Sequence, residues 1–130
     1  MASIFTRIIK GEIPSYKIAE DESYFAFLDI HPLAKGHTLV VPKTETDYLF
    51  DLDEELLAGM MVFSRRIARG IDKSVHCKRV GVAVLGLEVP HAHIHLIPIN
   101  DLGDINFARP KLKLTPQEFE EIAAKIRSNI

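Results

Sequence analysis

Residues 90–98 read Pro90-His91-Ala92-His93-Ile94-His95-Leu96-Ile97-Pro98, an alternation of imidazole and apolar side chains. A period of two marks a strand with two unlike faces. With its neighbours the run predicts a strand over residues 89–99. His91, His93 and His95 share one face, and Ala92, Ile94 and Leu96 share the other, toward a core. Just upstream, Val80 to Leu85 (VGVAVL) has strand character, and Gly86 permits a hairpin-length turn over 86–88. Farther toward the N-terminus, Tyr16 to Ala19, Tyr24 to Leu28 and His37 to Val41 read as three more short strands. The polar residues 20–23 form a turn between the first two, and Gly36 and Pro42 bound the third.

Between the third and fourth strands the period changes. Leu49, Leu52, Leu56, Met60, Phe63, Ile67 and Ile71 recur at steps of three and four, which predicts an amphipathic helix from about Asp53 to Lys73. Asp51 with Glu54 supplies a capping pattern, and Gly70 with Lys73 suits a fraying end. After a loop over residues 100–114, Thr115-Pro116-Gln117-Glu118 combines an N-cap, a first-turn proline and a capping-box glutamate. Phe119, Ile122, Ala123 and Ile126 then line one face of a C-terminal helix. Short connections favour antiparallel pairing. The fold class is therefore α+β, a mostly antiparallel sheet of about five strands with one long helix and a C-terminal helix.

Composition narrows the function. The 130 residues suit one domain, 1–130, and 47% hydrophobic with 26% charged residues is a globular balance. A net charge of −2 argues against a nucleic-acid partner held by bulk positive charge. The single cysteine, Cys77, cannot form an internal disulfide, and no apolar run is long enough to span a membrane. Residues 1–16 interrupt their apolar side chains with Arg7, Lys10 and Glu12, unlike a signal peptide. These features lead us to expect a cytoplasmic chain with no membrane partner.

Three of the six histidines stand in the alternating row, and two chemistries use such a row. Two of them with His37 or Glu88 offer a zinc set. Three ligands from one strand fit poorly, because His91 and His95 lie about 13 Å apart along an extended backbone. Alternatively, a neutral imidazole attacks phosphorus while its neighbours stabilise the phosphoryl oxygens or the leaving group.

The pattern His-φ-His-φ-His-φ-φ, with φ apolar, resembles the motif that names the histidine triad (HIT) family of nucleotide hydrolases and nucleotidyl transferases. SIFTRIIKGEIPSYKIAEDE is similar to the family's N-terminal segment, and FAFLDIHPLAKGHTLVVPK to its ribose-binding strand and loop. The likeness spans about residues 3–100 and leaves the C-terminal helix, about 116–128, outside it. It implies that His93 is the nucleophile, forming a covalent nucleotidyl-histidine at the α-phosphorus. His95 and His91 flank it, and His37 supports the array. The resemblance further implies that Asp29 binds the ribose hydroxyls. Phe5, Ile8, Phe27, Ile30 and Leu39 would enclose the base, usually a purine. It also implies a small-molecule nucleotide partner and a homodimer. His31, His76 and Cys77 gain no role from it.

Two departures from the family accompany the match. Many bacterial members carry Cys-x-x-Cys and, after Pro-Lys, a histidine that together with a triad histidine bind structural zinc. Ser3 and Thr6 stand at the cysteine positions and PKTETDYL has no histidine, so no metal and no cofactor are expected. Before the triad, Leu85-Gly86-Leu87-Glu88-Val89 replaces the family's asparagine and Gly-Gln-(Ser/Thr)-Val run with what reads as a shortened loop. Glu88 then stands where a hydroxyl assists the leaving group, which predicts an altered leaving-group preference. The alternative is a nucleotide-binding or protein-interaction module whose catalysis is weak or lost.

Overall fold

The computed structural model describes residues 2–130. Helix α1 (Ile4–Ile9) precedes strands β1 (Lys17–Glu20), β2 (Tyr24–Leu28) and β3 (Thr38–Pro42). The long helix α2 (Glu54–Ser74), strands β4 (Arg79–Ala83) and β5 (Ile94–Ile99), and helix α3 (Pro116–Ser128) follow. The five strands form one sheet in the order β1-β2-β3-β5-β4, and every adjacent pair is antiparallel. The α+β architecture is the expected one.

The sheet divides two apolar clusters by residue parity. Tyr24, Ala26, Leu28, Val40, Ile94 and Leu96 face α2 and α3, where Met60, Phe63, Ile67, Ile71, Phe119, Ala123 and Ile126 bury the helical stripes. Each large apolar side chain buried this way contributes roughly 1.5–3 kcal/mol. On the opposite face Phe25, Phe27, Leu39 and Val41 pack with Phe5 of α1. The register aligns Phe27 with Leu39 and Leu39 with His95, so one cross-sheet row ends on a triad histidine.

Strand β5 is shorter than expected. It begins at Ile94, and residues 84–93 form an extended connection from β4 in place of a tight turn at 86–88. The backbone donors explain the shortening. Pro90 has none, His91 N–H bonds back to the Val89 carbonyl (2.8 Å), and Ala92 N–H bonds to the Thr46 carbonyl (2.7 Å). Only His95 of the triad therefore lies in regular strand. The parity still holds, with Ala92, Ile94 and Leu96 in the helix-side core.

Three local expectations change as well. Asp51 lies in a short 3-10 turn (Leu49–Asp51) and Leu52 is extended, so the α2 cap passes to Asp53, whose carboxylate accepts Leu56 N–H at 2.8 Å. Gly70 is not at a fraying end. A Cβ there would lie 2.7 Å from Ile130 Cγ1 and 3.4 Å from the Ile126 carbonyl oxygen, so the glycine permits the close crossing of α2 and α3. The 100–114 loop contains a 3-10 turn at Leu102–Ile105. At the C-terminus the Thr115 capping box and Pro116 are as read from the sequence.

Candidate active site

The β2–β3 hairpin and the start of β5 bring Asp29, His37, His93 and His95 together. Asp29 N–H bonds to the His37 carbonyl (3.0 Å), which places the two residues across from each other at the end of the hairpin. His95 neighbours His37 through the β3–β5 pairing. Its ring lies 5.2 Å from that of His37 and 4.9 Å from that of His93, centroid to centroid. The Phe5 ring meets His93 at 5.0 Å and His91 at 5.7 Å, both edge to face. All four imidazoles are buried.

Hydrogen bonds to the main chain decide which ring nitrogen holds each proton. Leu33 N–H donates to His37 Nδ1 (3.0 Å), so neutral His37 carries its proton on Nε2. That N–H donates to His95 Nδ1 (2.9 Å), which leaves the His95 proton on Nε2. His93 Nδ1 lies 2.7 Å from the His91 carbonyl oxygen, an acceptor only, so neutral His93 is Nδ1–H and keeps its lone pair on Nε2. His91 Nε2 donates to the Pro42 carbonyl (2.8 Å), and its Nδ1 accepts from Ser3 Oγ–H (2.7 Å). One proton pattern thus satisfies every ring. It gives the middle histidine a free nucleophilic nitrogen and the third an N–H donor.

Electrostatics agree with neutral flanking rings. Burial, with the His95 charge second, lowers the His37 pKa to about 3. Burial and then the His93 charge lower His95 to about 4. His91 is lowered by burial, partly offset by its bond to Pro42. Asp29 is raised by burial, against bonds and charges that favour its ionised form. Its Oδ1 accepts His31 N–H at 2.8 Å, and its Oδ2 lies 3.6 Å from His37 Nε2.

Two metal sets fail on donor chemistry. Ligand atoms of Asp29, His37 and His95 lie within 4.8 Å of one another. A cation on His37 Nε2, however, needs the ring proton on Nδ1, where it would face the Leu33 N–H donor at 3.0 Å. Around His91, the zinc the family resemblance places there would meet the hydroxyls of Ser3 and Thr6 in place of thiolates. Glu45 Oε1 there already accepts Ser3 N–H and Thr6 Oγ1–H, each at 2.6 Å. These residues do not fit the ion.

The expected base contacts divide. Phe5, Phe27 and Leu39 are buried in one apolar wall, Ile8 is half-buried against it, and Ile30 is 58% exposed beyond Asp29. Glu88 is exposed, and among the described residues its carboxylate bonds no histidine. An exposed carboxylate is free to meet a leaving group, and none of the described residues holds it toward the histidines. His31 and His76 are exposed, and Cys77 is a free, half-buried thiol.

Three participants escaped the sequence reading. Glu45 joins through hydrogen bonds. Phe107 lays its ring against His95 (4.8 Å) and His37 (6.2 Å), and its carbonyl accepts Lys111 Nζ–H. Lys111 in turn biases Asp29 and His37 electrostatically. No periodic signal marks such residues, because loop closure alone brings them in.

Comparison with known proteins agrees with this arrangement. A profile of the HIT domain matches residues 10–102. The adenosine 5′-monophosphoramidase of Schizosaccharomyces pombe is 31% identical over 132 residues, which cover 100% of this chain and 99% of its own. The adenosine 5′-monophosphoramidase of Saccharomyces cerevisiae is 40% identical over 101 residues, 77% of this chain and 64% of its own. Among solved structures, a Hit-like protein of Bartonella henselae, crystallised with an unknown ligand, superposes with a TM-score of 0.86 at 32% identity, covering 98% of this chain and 96% of its own.

Proposed function

This chain belongs to the HIT family, and from that premise we propose that it is a nucleotide hydrolase or nucleotidyl transferase acting at the α-phosphate through His93. The observation that carries the reading is the 2.7 Å bond from His93 Nδ1 to the His91 carbonyl, which leaves Nε2 free to attack. Purine nucleoside phosphoramidates are the substrate class, supported by the activity named for both yeast relatives. Nε2 forms a bond to the α-phosphorus as the P–N bond breaks, and the amine leaves with its electron pair from a protonated phosphoramidate. The positive charge left on the His93 ring is stabilised by the bond from Nδ1–H to the His91 carbonyl. His95 Nε2–H stabilises a non-bridging oxygen. Water then displaces the imidazole, releasing nucleotide and a proton.

Asp29 receives the ribose hydroxyls, and the wall of Phe5, Ile8, Phe27 and Leu39 takes the base. The reaction needs no metal, since the donors are already in place. We place the enzyme in the cytoplasm, as its single free thiol suits a reducing compartment. We also infer a homodimer. β4 is an edge strand, and Val82, Val84, Leu85 and Leu87 on it and just after it are exposed, the profile of an edge that pairs with a second copy.

Mass spectrometry after brief exposure to adenosine 5′-phosphoramidate tests the mechanism. An adenylyl group on His93 that is absent from His93→Ala supports it. Turnover by His93→Ala at the wild-type rate refutes it.

A further inference from the structure

We propose that Glu45 is a positioning residue for catalysis, acting on His93 through Thr6, Ser3 and His91. The proposal rests on the reading of His93 as nucleophile and adds to it a residue outside the histidine array. Glu45 lies in the segment after β3 and is exposed, as an ordinary surface carboxylate would be. Its bonding is not ordinary. Oε1 accepts both Ser3 N–H and Thr6 Oγ1–H at 2.6 Å, so one oxygen ties the N-terminus of α1 to the segment that follows β3. The carboxyl pKa falls to about 2, with the Thr6 and Ser3 bonds as its leading causes, so the acceptor stays ionised at every pH of interest.

The consequence passes inward one bond at a time. Thr6 N–H donates to Ser3 Oγ at 3.0 Å, and the Ser3 hydroxyl proton then goes to His91 Nδ1 at 2.7 Å. With Nε2 bonded to the Pro42 carbonyl, both nitrogens of the His91 ring are engaged. The ring can neither flip nor change tautomer without losing a buried bond. The His91 main chain is thereby fixed, and its carbonyl holds His93 Nδ1–H. Removing Glu45 releases Ser3 and Thr6, and the His91 ring loses the hydroxyl that anchors its Nδ1 side.

Phosphoramidate turnover and ¹⁵N imidazole NMR of Glu45→Ala, Glu45→Gln and Thr6→Val test this. Glu45→Ala is expected to lower kcat about tenfold with KM unchanged within about twofold, the size seen when a partner that orients a functional histidine is lost. Glu45→Gln keeps an oxygen acceptor and restores kcat to within about threefold of wild type. Combining Thr6→Val with Glu45→Ala adds little to the single change, because both cut one chain. The NMR should show the wild-type His91 proton on Nε2, and in Glu45→Ala a shifted Nδ1 resonance that reports the weakened Ser3 bond. Wild-type kcat in Glu45→Ala, or a slowed variant whose His91 Nδ1 resonance is unchanged, overturns the proposal. Should Glu45→Ala fail to fold, Thr6→Val decides by the same two readouts. A wild-type protein that turns over no nucleotide defeats the reading of the site, and the NMR still settles whether Glu45 holds His91.

Discussion

Buried imidazoles held neutral make this fold sensitive to mild acid, and His37→Gln should remove the share that His37 contributes. An unfolded histidine titrates near 6.5, whereas folding holds His37 at about 3 and His95 at about 4. Both shifts are downward, so below pH 6.5 the unfolded chain binds protons the native chain does not, and stability falls as pH falls. Integrating the proton difference from pH 7 to pH 5 gives a loss of about 2 kcal/mol for each ring and about 4 kcal/mol for the pair. The loss continues down to the native pKa values and then levels off. His37→Gln replaces one titrating ring with a neutral amide that can still donate to His95 Nδ1. Between pH 7 and pH 5 the variant should therefore lose about 2 kcal/mol less than the wild type. Urea unfolding at fixed protein concentration, repeated from pH 7 to pH 5, reads both slopes, and fixed concentration removes any contribution from self-association. Carboxylates and His91 affect the two proteins alike, so the difference isolates His37. Parallel curves for wild type and His37→Gln would refute the reasoning.

Two further outcomes follow from single contacts. Phe107→Ala uncovers the His95 ring, whose lowered pKa comes first from burial, and an NMR titration should show its midpoint rising from about 4 by roughly one unit; an unmoved midpoint would show that Phe107 does not shield it. A charge at the exposed β4 edge, Val82→Glu with Val84→Glu, should turn a dimer into a monomer in sedimentation analysis, and a wild type already monomeric at micromolar concentration would remove the edge-pairing proposal.

What the sequence revealed and what it hid have different physical origins. Periodicity located α2, α3 and the face of every triad residue, because burial acts on each side chain in turn and leaves a repeating trace. The extent of β5 was not readable that way. A strand needs ladder partners, and whether His91 and Ala92 find them depends on Val89 and Thr46 competing for their donors. The cap of α2 moved from Asp51 to Asp53 for a related reason, since the 3-10 turn before it spends residues that a pattern of threes and fours counts as helix. Helix α1 is one short amphipathic turn and a half, too brief for a period to show. Its Ser3 cap doubles as the hydroxyl on His91. Family likeness pointed to His37, Asp29 and Phe5, which the fold brings close to the triad, whereas Glu88 stands exposed in the loop before it.

The roles of the histidines lie one level deeper than their spacing. Four identical side chains hold their protons in different places, and the difference is imposed by main-chain groups that any sequence possesses. The Leu33 N–H sets His37, and through it makes His95 a donor at Nε2. The Pro42 and His91 carbonyls place protons on His91 Nε2 and His93 Nδ1, which leaves His93 Nε2 as the lone pair that the proposed reaction uses. A carbonyl cannot donate and an amide cannot accept, so this polarity is fixed before substrate arrives and needs no reorganisation during reaction. Substitutions that keep all four imidazoles but move these backbone groups should therefore impair chemistry as surely as loss of a triad member. Glu45 is the side chain through which that backbone control reaches the surface.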